Sequence, residues 1–96
     1  MSNISFAWDQ SKARSNLAKH GVSFEEAQTA FLDDSARLID DPDHSDQEDR
    51  FLLLGYSHLA RCLIVSHCYR QSNAVIRMIS ARCATRHEEE EYWELR

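Results

Sequence analysis

Arg77, Arg82 and Arg86 stand in the segment VIRMISARCATRHEEEE, residues 75–90, where an apolar stretch gives way to the start of a helix. Guanidinium groups are planar and permanently charged, and they present paired N–H donors that match two oxygens of a phosphate or carboxylate. Arg50, Arg61 and Arg70 extend the series, and residues 50–87 contain no Asp, Glu or Lys. An anionic ligand is implied. The alternative is that these arginines pair with the acidic flanks, namely the loop DDPDHSDQED at 40–49 and the run Glu88 to Glu91.

His67 lies in the apolar segment RCLIVSHCYR, 61–70, ahead of the turn QSN and the segment AVIRMISAR, 74–82. With QSN as a hairpin turn, Arg70 faces Ala74 and His67 faces Arg77, with Tyr69 and Val75 on the same face. An imidazole there serves as general acid or base, because its ordinary pKa lies near neutrality. The competing assignment is a buried neutral imidazole satisfied by a backbone carbonyl. Arg86 falls at the first helical position, where a cation opposes the helix dipole, so stability alone does not select it. A phosphate held by Arg82, Arg86 and the free N–H groups of that helix start explains it; a salt bridge to a neighbouring acid is the other explanation.

Other chemistries find little support. The five histidines form no metal-binding pair, no CxxC accompanies them, and Asp41, Asp43 and Ser45 imitate only the beginning of a calcium loop. No metal and no cofactor is expected. Two glycines cannot build a phosphate-binding glycine loop, and no serine carries a nucleophile signature.

The elements that must position these residues can be read from capping and periodicity. ISFAW (4–8) reads as a strand, Asp9 caps a helix over 10–20, and Gly21 stops it. Ser23 to Glu26 is a capping box that opens a second helix running to about Asp33. From Ala36 the pattern changes to short segments rich in Leu, Ile and Val: 36–40, 50–56, 61–70 and 74–82. They read as an antiparallel meander. Thr85 and Glu88 form a second capping box, which starts a C-terminal helix carrying Tyr92, Trp93 and Leu95.

Ninety-six residues, 43% of them hydrophobic, suit one α+β domain spanning 1–96. No apolar run is long enough to span a bilayer, and the start MSNISF lacks signal-peptide features, so a cytoplasmic location without membrane association is expected. Cys62, Cys68 and Cys83 read as reduced, buried thiols. The net charge of −5 argues against nucleic acid only if it is spread evenly, and here the cations are clustered.

The stretches FAWDQSKARSNLAKHGVSFEEAQTAF (6–31), DDPDHSDQEDRFLLLGYS (40–57), RCLIVSHCYR (61–70) and IRMISARCATRHEEEEY (76–92) together resemble the BrnT family of toxins from type II toxin–antitoxin systems. The resemblance implies a RelE-like α+β fold, with two N-terminal helices packed on an antiparallel sheet, and a metal-independent endoribonuclease that suppresses translation. It also implies neutralisation by a BrnA-type antitoxin with a ribbon-helix-helix domain, through which alone operator DNA would be reached. In such a reaction the RNA 2′-OH attacks the adjacent phosphate, which needs a proton acceptor and cations on the phosphorane. His67 is assigned to proton transfer, Arg77 and Arg82 to the transition state, and Arg86 to holding phosphate. Arg61, Arg70, Lys19, His20 and Trp8 are further candidates for binding RNA. The four glutamates after His87, and Cys83 where relatives commonly carry a basic residue, depart from the family pattern. They favour an alternative in which the chain is a degenerate toxin, binding the antitoxin as a non-catalytic co-repressor.

Overall fold

The computed structural model describes residues 4–41, 50–72 and 74–94. The chain runs β1 (Ser5–Ala7), α1 (Gln10–His20), α2 (Phe24–Thr29), a 3₁₀ turn (Ala30–Leu32), β2 (Arg37–Asp40), β3 (Phe51–Tyr56), β4 (Cys62–Arg70), β5 (Val75–Cys83) and α3 (Arg86–Glu94). Asp43 and Ser45 of the calcium-like stretch, the residues before Ile4, Asn73 of the QSN turn and Leu95 lie outside the described residues.

The helix ends follow the capping chemistry. Asp9 accepts from the Ser11 N–H at 3.0 Å, and Gly21 ends α1 in the left-handed region at φ 69°. Ser23 Oγ accepts from the Glu26 N–H at 3.0 Å. The reciprocal half of that capping box is replaced, because Glu26 turns its carboxylate to Ser57 and Arg61 instead. At α3 both halves form: Thr85 N–H donates to Glu88 Oε1 at 2.8 Å, and Glu88 N–H to Thr85 Oγ1 at 3.2 Å. The second helix is shorter than its sequence suggests, since Ala30–Leu32 tighten into the 3₁₀ turn.

The five strands form one sheet in the order β1-β5-β4-β3-β2. β2 through β5 make the expected meander, but β1 joins β5 in parallel, Phe6 opposite Ile76, so the sheet is mixed. A strand of three residues, Ser5 to Ala7, gave no signal for its direction. α1 and α2 cover one face, where Val22, Phe24, Ala27, Leu63, Val65, Ile76, Met78 and Ala81 form the main core. Buried Asn16 fastens α1 to β5: its amide donates to Val22 O and Ala81 O at 2.8 Å each, and accepts from Ala81 N–H at 3.0 Å.

The other face is covered only in part. α3 lays Tyr92 against Leu54, Cys62 and Ile64, and the Tyr92 hydroxyl donates to Asp33 at 2.7 Å. Among the described residues no helix is long and apolar enough to cross a membrane. Cys62 and Cys68 are buried as expected, and burial pushes the Cys62 thiol up to about 11. Cys83 is exposed, contrary to expectation, because it sits at the end of β5 beyond the cover of either helix layer.

Candidate functional site

The register between β4 and β5 decides which arginines share a face. A regular strand alternates faces with each residue, so Arg77 and Arg82, an odd number of positions apart, would point to opposite sides. They do not. Ser66 pairs with Ser80 but His67 pairs with Met78, so Ile79 is an extra residue and β5 carries a bulge. The bulge resets the alternation: Arg82 sits opposite Ile64 and Arg77 opposite Cys68, both on the face away from α1 and α2. Along β4, Ile64, Ser66 and Cys68 alternate onto that same face, so the two arginines flank the Ser66–Ser80 pair.

This register corrects the pairing of His67 with Arg77. Arg70 faces Val75 rather than Ala74, and His67 faces Met78 on the helix-covered side. His67 is fully buried, edge-on to Phe31 at a centroid distance of 4.9 Å, with its Nδ1 3.0 Å from Val65 O and Nε2 3.3 Å from the Tyr69 hydroxyl. Burial holds its pKa below the ordinary imidazole value, so it is neutral. It is the core imidazole satisfied by a carbonyl, on the face opposite Arg77 and Arg82, and the reason is the turn. Ala74 donates to Gln71 O at 3.1 Å as part of the turn, so the ladder starts at Val75, one residue later than expected, and β4 alternation points His67 inward with Val65.

The remaining candidates separate by their partners. Arg82 donates two hydrogen bonds to Glu88 of α3, at 2.8 and 2.9 Å, and these hold the Glu88 carboxyl down to about 2. Arg61 is committed elsewhere: it grips the buried Glu26 through Nε at 2.9 Å and through a second, shorter bond, and also donates to Gly21 O at 2.9 Å. Arg77 has no ion-pair or hydrogen-bond partner among the described residues. Arg86 opens α3 with its side chain 94% exposed and only a 3.8 Å approach to Glu90. Arg70 is exposed at the end of β4.

Lys19 and His20 are exposed in the last turn of α1. Trp8 is half-buried, edge-on to Phe24 at 5.8 Å in the main core. All three belong to the side of the sheet that α1 and α2 cover, so the structure does not bring them together with Arg77 and Arg82.

A cleft of about 230 Å³ opens on the arginine face, with Arg50, Arg82, Ser66, Ser80 and Asp41 among its walls and Leu52 and Ile64 as its floor. The serines were not singled out by spacing. Their signal was a polar residue at matching places in the two central strands, visible only once the bulge fixes the register. The cleft brings together Arg82, already bonded to Glu88, Arg50, the carboxylate of Asp41 and two serines, so an anion entering it would compete with Glu88 for the Arg82 guanidinium.

The profile of the BrnT ribonuclease toxins of type II toxin–antitoxin systems matches residues 8–88. No curated protein matches the chain. The crystal structure of the Brucella abortus ribonuclease toxin BrnT superposes with a TM-score of 0.68 at 22% identity, covering 86% of this chain and 99% of that one, which is a likeness of fold. With most of its length matched by that profile and its α+β architecture shared with that structure, the chain belongs to the BrnT family of ribonuclease toxins of type II toxin–antitoxin systems.

Proposed function

We propose that this toxin is an endoribonuclease that cleaves RNA without a metal ion, thereby inhibiting translation, and that a BrnA-type ribbon-helix-helix antitoxin neutralises it. The observation that supports this reading is that the β5 bulge puts Arg77 and Arg82 on the same sheet face, which α3 covers only in part. On that face a 2′-OH attacks the neighbouring phosphorus, the ribose 5′-oxygen leaves, and the guanidinium groups stabilise the negative charge gathered on the phosphorane. Arg86, exposed at the start of α3, holds an adjacent phosphate. Arg70 is a peripheral contact, as are Lys19 and His20 for RNA that wraps past the sheet's rim. Because His67 is buried, solvent at the open face takes the proton released by the 2′-OH and returns one to the departing 5′-oxygen.

The test is cleavage of RNA by purified protein in EDTA. Arg77→Ala should lose about 100-fold in rate while staying folded, the usual cost of removing one charge-stabilising donor. Undiminished cleavage by both Arg77→Ala and Arg82→Ala would end the assignment. A second reading is favoured by the pairing of Arg82 with Glu88: the chain is a degenerate toxin that retains antitoxin binding and co-represses an operon through the antitoxin's DNA contacts. Expression without growth arrest, together with tight antitoxin binding, would select it.

A further inference from the structure

Arg82 and Glu88 meet end-on: Nη1 donates to Oε1 at 2.8 Å and Nη2 to Oε2 at 2.9 Å. Cys83 O accepts a further bond from Nη1 at 3.2 Å, so the outer fork of this guanidinium is in use. A phosphodiester offers two non-bridging oxygens to the same fork, and Glu88 therefore fills the place on Arg82 that an RNA phosphate needs. The pair is not sealed. Arg82 keeps 40% of its side chain exposed and Glu88 27%, and Arg82 lines the cleft on the open face.

Glu88 differs from the three glutamates that follow it. Glu89 accepts from the Tyr56 hydroxyl, Glu90 approaches Arg86 at 3.8 Å and Glu91 approaches His87 at 3.8 Å, all away from the sheet's arginines. Glu88 is also held in advance. Its Oε1 accepts from the Thr85 N–H at 2.8 Å, and Tyr92 seats the helix on Leu54, Cys62 and Ile64 while donating to Asp33 at 2.7 Å. A carboxylate fixed in this way loses little freedom on pairing, so it competes better than a free anion of the same charge. Capping alone does not demand the charge, because a capping box is completed by Glu or Gln alike.

Resting on the ribonuclease reading above, we infer that Glu88 is an internal competitor for the RNA phosphate at Arg82, so that the first turn of α3 autoinhibits the toxin. RNA engages Arg77 and Arg86 first, and Arg82 exchanges its carboxylate for a phosphate as the strand settles on the face. The helix keeps its seat through Tyr92 during this exchange, and only the Glu88 side chain moves.

The experiment measures binding of an uncleavable 2′-O-methyl RNA oligomer to the full chain, to Glu88→Gln, Arg82→Ala and their combination, and to Glu90→Gln. Gln retains the oxygen that accepts from Thr85, so α3 should stay folded. Glu88→Gln should tighten binding about 5-fold, the upper worth of a partly exposed ion pair. Glu90→Gln removes the same charge from the same helix and should gain less than about 2-fold, because salt screens an exposed charge. In the Arg82→Ala background the gain from Glu88→Gln should disappear, since the contested guanidinium is gone. A gain that persists without Arg82, or one as large in Glu90→Gln, overturns the inference, general repulsion then being the cause. Unchanged affinity in Glu88→Gln also overturns it, and if Arg77→Ala still loses cleavage of ordinary RNA, the ribonuclease reading survives. If the unaltered protein neither binds the oligomer nor cleaves RNA, both readings fall.

Discussion

At the scale of single residues, chemical type was legible and partnership was not. The arginines and His67 could be picked from the sequence, yet whether each is free depends on carboxylates and strands far away in the chain. Arg61 finds its acid on α2, and Arg82 finds its acid in the first turn of α3. Two outcomes follow. Replacing Glu88 by Gln should raise RNA affinity several-fold by releasing Arg82, read by fluorescence anisotropy, while costing about 1 kcal/mol for a partly exposed bidentate pair. Because Arg82 lowers the folded-state pKa of Glu88 from 4.5 to about 2, this pair contributes fully above about pH 4.5 and its contribution disappears as pH falls toward 2. The Glu88→Gln variant should therefore show a flatter acid limb in its melting temperature. His67 acts with the same sign: buried and neutral, it makes stability decline as pH drops below its ordinary value of 6.5. His67→Ala should lower the melting temperature through a core cavity costing roughly 2 to 4 kcal/mol, yet leave the rate per folded molecule within a few-fold. A 100-fold loss in that rate would return His67 to the chemistry.

At the scale of elements, the sequence disclosed the helices and the meander because caps and periodicity are local signals. Asp9, Gly21, Ser23 and the Thr85–Glu88 box all act where they were expected. The β5 bulge was not visible, since one inserted residue in a run of Ile, Met and Ser leaves the composition of a strand unchanged. It is nevertheless what brings Arg77 and Arg82 onto one face; the His67–Arg77 pairing was wrong for a different reason, because Ala74 belongs to the hairpin turn and the ladder starts at Arg70 and Val75. The parallel seat of β1 was equally silent, since three residues carry no directional pattern. Glu26 shows the same limit from another side: a residue that reads as half of a capping box serves as the buried anchor of Ser57 and Arg61. Glu26→Ala strands Arg61 at the β3–β4 end, and chemical denaturation should show a loss of about 2 to 3 kcal/mol, with Ser23 keeping the helix start intact.

At the scale of the whole molecule, a chain with net charge −5 holds Arg77 and Arg82 on one sheet face and Arg86 at the adjoining helix start. The footprint is small, so RNA binding should depend only mildly on salt. With about three phosphates contacted, the plot of log affinity against log salt should have a slope of about −2, measured by titration across a range of ionic strength. A slope several times steeper would mean that cations outside this face share the grip. The acidic run from Glu88 to Glu91 is legible in the sequence as helix-start chemistry, but only the fold shows that one of the four reaches an arginine of β5.

Asn16 and β1 both find their partners on β5, near the opposite end of the chain. The first strand and first helix therefore have no place to dock until β5 is in the sheet, so this layer of the fold closes through long-range contacts and not through its own neighbours in the chain.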